Sequence, residues 1–324
     1  MATDIQAQLT KYLTDAHSIE EQALAQLRTA PKLAGEPELA AAYETHLHET
    51  EGHERHVRAL LEARGAKPSR TKDTVMAVGG KGFLLFARLQ PDTPGKLHAH
   101  SLSYEALEVS SYELLHRVAE RAAEDHVVTT AHGITVQELE MMQRLEATFD
   151  RAVDASLREV AATDLQEQLR KYLADAHAIE EQAIQLLERG PKLAGHVKLA
   201  NIYAEHLDQT RDHAELVEER LTSLGGDPST LKDAALRLGA LNWSAFFQAH
   251  PDTPGKLAGF AYAFEYLEVG AYEQLKRVAQ RAGDEETARI AEAILEDERE
   301  AAERIAGSFD EAVEASLETV GVRS

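Results

Sequence analysis

The chain has 324 residues, 44% of them hydrophobic and 28% charged, and carries a net charge of −22. That balance belongs to a folded soluble polypeptide and excludes a disordered one. Its sign argues against nucleic acid or anionic membrane as partner, because phosphate binding needs clustered Lys and Arg. There is no cysteine, which excludes disulfides, thiolate metal sites and cysteine nucleophiles.

Taken in chain order, the pattern predicts a first helix from about Asp4 to Arg28, with Thr3 as its cap and a stop at Pro31 and Gly35. A second helix spans about Pro37 to Arg64 and ends at Gly65. The stretch 68–90, with Pro68-Ser69 and Gly79-Gly80, reads as one or two short helices; its later counterpart holds Leu236, Leu238 and Trp243. A third helix starts with Asp92 or Thr93 as cap, takes Pro94 into its first turn, and runs to about Ala122. A fourth is weak at its start, where Val127-Val128-Thr129-Thr130 and Gly133 stand.

The pattern then begins again. Shifted by 160 residues the chain aligns with itself without a gap, and roughly 70 of 160 paired positions are identical. Pro31-Lys32-Leu33-Ala34-Gly35 returns at 191–195, and the seven residues from Pro91 to Leu97 return at 251–257. In the second copy the fourth helix opens at Asp284-Glu285-Glu286 and runs to about Leu317, with no short fifth helix expected after it. The expected organisation is all-α: two tandem four-helix bundles, 1–160 and 161–324, with a short helical excursion between the second and third helices. The junction lies in a helix-friendly stretch without Pro or Gly, which implies a stiff joint. No apolar run reaches the ~18–20 residues of a membrane helix. The residues after Met1 carry no basic-then-apolar leader, so a cytoplasmic location is expected.

The informative residues are polar ones inside apolar stripes. The first helix lines up Leu13, His17, Glu20, Leu24 and Leu27, and the second Leu39, Tyr43, His46, Thr50, His53, Val57 and Leu60. The third lines up Leu102, Glu105, Glu108, Tyr112, Leu115 and Ala119, and the fourth Ile134, Glu138, Met141, Leu145 and Phe149. Each stripe is apolar at its ends and polar in the middle. The second copy repeats the polar layer with Glu180, His213, Glu265, Glu268 and Glu298, and again with His177, His206 and Thr210.

A lone Glu on a helix is ordinarily solvated, but carboxylates are almost never buried without a partner. No Lys or Arg falls in the central turns of these stripes; Lys11 and Arg117 lie away from the layer or off the stripe. Metal is the economical source of the missing positive charge. Glu20, Glu105, Glu108 and Glu138 carry about −4, which two divalent ions neutralise. Carboxylate mixed with imidazole suits iron or manganese better than calcium or structural zinc. The expected ligands are therefore the four Glu with His53, and Glu180, Glu265, Glu268 and Glu298 with His213. His17, His46, His177 and His206 stand open between ligand, supporting partner and hydrogen-bonded core histidine. Tyr112 and Tyr272, one turn after a candidate Glu, are placed to hydrogen-bond a ligand carboxylate or simply to pack. His48, His98, His100 and His126 have no counterpart in the other copy and are expected at the surface.

These residues resemble the ferritin-like superfamily and, within it, the YciE/YciF-like stress proteins, which are related to rubrerythrins. The resemblance rests on Glu20-x-Gln22, His46-x3-Thr50-x2-His53, Glu105-x2-Glu108-x3-Tyr112 and Glu138, and it runs along nearly all of both copies. It implies a ferritin-like bundle with two iron (or manganese) ions per repeat. Rubrerythrin-like relatives carry an acid where this chain has Thr50 and Thr210, and a histidine near Met141 and Ala301. The resemblance further implies a non-haem di-iron oxidoreductase that reacts with dioxygen or peroxide, ferroxidase- or peroxidase-like and stress-protective, with an external electron donor. A non-catalytic stress or scaffold protein with a vestigial metal site is the alternative. Iron storage is disfavoured, because fusing two bundles suggests an internal pseudo-dimer rather than the separate subunits of a cage. Assembly into further copies stays open.

Overall fold

A computed structural model describes residues 4–66, 93–226 and 253–322. All regular structure among the described residues is helical. The first repeat contains α1 (Ile5–Leu27), α2 (Ala30–Leu33), α3 (Pro37–Ala63), α4 (Thr93–Arg121), α5 (Asp125–Glu146) and α6 (Phe149–Leu157). The second contains α7 (Leu165–Leu187), α8 (Gly190–Leu193), α9 (Val197–Ser223), α10 (Thr253–Arg281), α11 (Glu285–Ala306) and α12 (Phe309–Thr319). The excursion expected at 68–90, and its counterpart, lie outside the described residues.

Local chemistry sets the helix ends. Asp4, not Thr3, caps α1: its carboxylate accepts the Gln6 amide at 3.2 Å. Glu36 does the same for α3 through Leu39 N, at 3.3 Å, just before Pro37. Gly65 ends α3 in the left-handed region, at φ 69°, while Ala66 N donates to Leu61 O. Gly35 also has a positive φ, 73°, and a Cβ there would come within 2.7 Å of Pro94 Cγ. Only glycine lets the loop after α2 approach the first turn of α4.

The fourth helix is not the single rod that the pattern predicts. It breaks at Ala147-Thr148, and again at Gly307-Ser308, so a short helix does follow it in each repeat. At each break the backbone turns more tightly: Thr148 N donates to Leu145 O at 3.0 Å and Ser308 N to Ile305 O at 2.9 Å, three residues back rather than four. Thr148 Oγ1 also donates to Arg144 O at 2.7 Å, and Ser308 Oγ to Ile305 O at 2.6 Å. The Thr148 and Ser308 carbonyls then start the next helices. Ser156 on α6 accepts the Gly95 amide at 2.7 Å, satisfying a donor at the start of α4 that has no partner within its own helix. Ser316 does the same for Gly255. The junction between repeats is not continuous helix either: α6 stops at Leu157, and a 3₁₀ turn over Ala162–Asp164 leads into α7.

The described residues divide into two compact units, one drawn from 1–156 with 317–324 and the other from 157–316. Within the first, α1 packs on α3 and α4, while α5 packs on α4 and α3, closing a ring of four long helices. The second repeats this with α7, α9, α10 and α11. Every residue of the four predicted stripes is buried. Leu13, Val57, Leu102 and Leu145 fill layers on either side of the polar level, each burial contributing about 1.5–3 kcal/mol. That apolar packing holds the helices in place around a central layer of buried polar side chains.

Candidate metal centre

Six side chains converge at the middle of the first bundle: Glu20 from α1, His46 and His53 from α3, Glu105 and Glu108 from α4, and Glu138 from α5. None is more than 3% exposed, so water offers no compensation for their charge. They form two overlapping groups. Glu20, His53 and Glu138 bring ligand atoms within 4.8 Å of one another, and so do His46, Glu105, Glu108 and Glu138. Glu138 belongs to both. Its Oε1 is 2.8 Å from His53 Nδ1 and its Oε2 is 3.4 Å from His46 Nε2. His46 Nε2 also lies 2.9 Å from Glu105 Oε2. The second repeat assembles Glu180, His213 and Glu298, and His206, Glu265, Glu268 and Glu298, in the same way.

The helical register explains the convergence. His46 and His53 are seven residues apart, two turns, on the same face of α3. Glu105 and Glu108 are three apart on α4 and therefore adjacent. The two histidines of α3 turn opposite ring nitrogens inward, Nε2 from His46 and Nδ1 from His53.

Burial of so many acids shapes the proton inventory of the cluster. Burial pushes the Glu20 carboxyl up to about 8, although His53 pulls the other way. Glu105 rises to about 7, again through burial and against the charge of His46. Burial lifts Glu108 well above its usual value, helped by the charges of Glu138, Glu20 and Glu105. For His53, burial works against the charged ring, but the hydrogen bond and charge of Glu138 outweigh it and raise the ring to about 9. Glu138 moves the other way: burial would raise it, but the charge of His46 and the hydrogen bond from His53 hold it low. Protons and two cationic rings thus stand in for positive charge around one ionised carboxylate.

Hydrogen bonding leaves part of the site unanswered. Both oxygens of Glu108, and both of Glu268, are buried without a hydrogen-bond partner among the described residues. A buried acceptor left this way costs about 1–3 kcal/mol, and more when it is charged. No Lys or Arg lies within ion-pair distance of the six residues among the described contacts. The unmatched oxygens, the imidazoles turned inward and the shared Glu138 fit a pair of divalent cations.

Surrounding groups orient this set. Tyr112 Oη donates to Glu20 Oε1, and Tyr272 Oη to Glu180 Oε1, by very short hydrogen bonds. His46 Nδ1 lies 3.0 Å from Glu49 Oε2, and Arg144 holds that carboxylate with two contacts of 3.0 Å. His53 Nε2 meets Gln137 Oε1 at 2.5 Å. Thr50, between His46 and His53 on the same face of α3, turns its hydroxyl to His46 O at 2.9 Å and adds no charge. Thr210 does the same with His206 O. A surface hollow of about 470 Å³, lined by Thr45, His48, Glu49, Gly52, His53, His56 and Gln137, opens onto the outer side of His53.

Of the expected ligands, the structure brings together all four Glu and His53, with the corresponding five in the second repeat. It adds His46 and His206, which the sequence left open. His17 is placed elsewhere, with its Nε2 2.9 Å from Glu54 Oε1 in a separate group with Glu21. Arg58 already neutralises Glu54 there. His177 joins neither cluster of its repeat, and Ala214 stands where Glu54 would be. His48 and His126 are exposed as expected, but His98 is buried. Its Nε2 donates to Leu145 O at 2.7 Å, and its Nδ1 lies 3.2 Å from Tyr43 Oη, a satisfied core histidine. His100 is half-buried, with its Nε2 3.2 Å from Gln26 Oε1, and burial lowers its ring to about 4. Sequence reasoning missed Glu49, Gln137 and Arg144. The signal for Glu49 was present, since it follows His46 by three residues on one helix face.

One family model matches the chain twice, over residues 4–158 and 164–318; its description is a domain of unknown function, DUF892. No solved structure matches. No described helix is long and apolar enough to cross a membrane.

Proposed function

The chain belongs to the DUF892 family in both of its halves, and we propose from its buried clusters that each repeat holds a pair of redox-active metal ions, iron or manganese. One observation supports this above the rest: Glu138 presents its two oxygens to two separate histidine-bearing groups, and Glu298 does the same. One ion belongs with Glu20, His53 and Glu138, the other with His46, Glu105, Glu108 and Glu138. When bound, such a pair supplies electrons and Lewis acidity for reaction with dioxygen or peroxide, ferroxidase- or peroxidase-like, as in the ferritin-like stress proteins that the sequence resembles. The protein's own part is to fix the spacing through Glu138, to orient Glu20 through Tyr112, and to keep bulk water out with Leu13, Val57, Leu102 and Met141. Protons leaving Glu20, Glu108 and the two imidazoles make room for the cations. Without cysteine the chain carries no thiolate-bound iron of its own, so sustained turnover draws on an external electron donor or on disproportionation of peroxide.

A second reading, a non-catalytic scaffold with a weak metal site, draws on Thr50 and Thr210, whose hydroxyls bond their own helices where a further acid would stand. Elemental analysis decides whether metal is held. The full chain is loaded anaerobically with Fe(II), desalted and analysed, then exposed to air or hydrogen peroxide. The expected result is two ions per repeat and a new near-ultraviolet absorbance on oxidation, both lost in Glu138→Gln/Glu298→Gln. A desalted chain with no retained metal overturns the assignment; retained iron that stays Fe(II) leaves the scaffold reading standing.

A further inference from the structure

The two clusters repeat each other residue for residue, but the groups behind their histidines do not. In the first repeat the outward nitrogen of His46 meets a carboxylate, Glu49, and that of His53 meets an amide, Gln137. In the second repeat the order is reversed. His206 Nδ1 meets the amide of Gln209 at 3.4 Å, and His213 Nε2 meets the carboxylate of Asp297 at 3.2 Å. Glu49 corresponds to Gln209 and Gln137 to Asp297 under the 160-residue shift. Two substitutions have therefore moved one negative charge from behind one histidine to behind the other, leaving the inner residues unchanged.

A carboxylate behind an imidazole fixes the ring and strengthens it as an electron donor to a metal, and such partners change affinity by about 10–100-fold. A neutral amide fixes the ring without that charge. The inner groups are themselves unequal: the His46 pocket gathers one histidine and three carboxylates, the His53 pocket one histidine and two. In the first repeat Glu49 supports the richer pocket. Arg144 takes some of its charge but pins it in place. In the second repeat Asp297 supports the poorer pocket, with its side chain 45% exposed, so water weakens but does not remove its effect.

We infer that the first repeat binds its two metal ions with widely different affinities, filling the His46 pocket first, whereas the second binds its pair with nearly matched affinities. The first repeat then passes through a one-metal state over a broad range of metal concentration. The second goes from empty to filled almost in one step. This rests on the two-metal reading above and assigns the four pockets their order of filling.

Mn(II), which is stable in air, is the probe. Crystals of the full chain are grown with limiting Mn(II) and the anomalous peaks of the four pockets compared. The expected order is a dominant peak between His46 and Glu105, the weakest peak beside His53, and two comparable peaks in the second repeat. In solution, Glu298→Gln restricts binding to the first repeat, where two Kd values should differ by about 100-fold or more. Glu138→Gln restricts it to the second, where they should fall within about tenfold. Glu49→Gln in the first background should weaken the tighter step by about 10–100-fold, and Gln137→Asp should strengthen the looser one. The same order of filling in both repeats, or an unchanged tight step in Glu49→Gln, overturns the inference while leaving the metal assignment intact. Absence of Mn(II) from every pocket at excess metal overturns the metal assignment itself.

Discussion

His53 Nδ1 lies 2.8 Å from Glu138 Oε1, and His213 Nδ1 stands at the same 2.8 Å from Glu298 Oε1. Without metal the two form an ion pair; on the two-metal reading proposed above they become neighbouring ligands. On that reading the same two residues serve stability in one state and binding in the other, and pH separates the two roles.

The metal-free chain should be most stable in mild acid. His53 and His213 rise from 6.5 to about 9 on folding, so their contribution is full below pH 6.5 and is lost as pH rises through 9. Glu20 and Glu180, raised from 4.5 to about 8 chiefly by burial, act with the same sign: their contribution is full below pH 4.5 and is lost as pH rises through 8. Glu298 is lowered to about 2, burial being outweighed by its hydrogen bonds from His206 and His213; its contribution is present above 4.5 and lost as pH falls through 2. Thermal melts of metal-stripped protein should therefore peak near pH 4.5, decline as pH rises toward 6.5 and fall more steeply from there to pH 9. A midpoint that stays level from pH 6 to 9 would contradict this proton inventory.

Metal should reverse the alkaline decline. Binding displaces protons from Glu20, Glu108, His46 and His53, so it is opposed by acid. The gain in melting temperature on adding Mn(II) should be larger at pH 8 than at pH 6. Calorimetric titration at pH 7 in buffers of different ionisation enthalpy should give heats that differ by the protons released. Equal heats in all buffers would mean that the site does not hold those protons.

Tyr112→Phe deletes one hydroxyl and leaves the ring. The donor to Glu20 Oε1 disappears, and with it the contact that fixes the oxygen lying 3.9 Å from His53 Nδ1. Mn(II) affinity of the Glu20 pocket should fall about tenfold, while stability without metal changes by about 1 kcal/mol. Tyr272→Phe should do the same in the second repeat. Equilibrium dialysis measures the first effect and urea unfolding the second. An affinity unchanged in both variants would show that the tyrosines only pack.

Much of this was legible in the sequence, because helix periodicity and polar residues in apolar stripes are both local signals. Glu20, Glu105, Glu108 and Glu138 could be placed on one level by counting turns alone. What could not be read was which ring nitrogen faces inward and which distant group stands behind it. His53 meets Gln137 across 84 positions, and Glu49 meets Arg144 across 95, so no window along one helix shows either pair. The inward role of His46 is hidden for the same reason: the carboxylates that meet its Nε2 come from α4 and α5. His98 was misplaced because a missing counterpart says nothing about burial; Tyr43 and the Leu145 carbonyl take it into the core. The break before Phe149 has no Pro or Gly to announce it; the backbone tightens there, with Thr148 N donating to Leu145 O at 3.0 Å.

A last prediction concerns the turn after the third long helix. Ala123 stands there with φ 55°, in the left-handed region, where the second repeat has Gly283 at φ 69°. Both turns close alike, with Glu124 N donating to Ala119 O at 3.0 Å and Asp284 N to Ala279 O at 2.9 Å. A side chain in that conformation costs roughly 1–2 kcal/mol, partly offset by the greater freedom of glycine in the unfolded chain. Ala123→Gly should therefore stabilise the first repeat by about 0.5–1 kcal/mol, and Gly283→Ala should destabilise the second by a similar amount. A Cβ at 283 meets nothing within 4 Å, so the effect is one of backbone conformation and not of packing. Urea unfolding of the two variants measures it, with midpoints moving in opposite directions. If Ala123→Gly lowers the midpoint instead, the freedom that glycine adds to the unfolded chain outweighs the strain relieved in the turn.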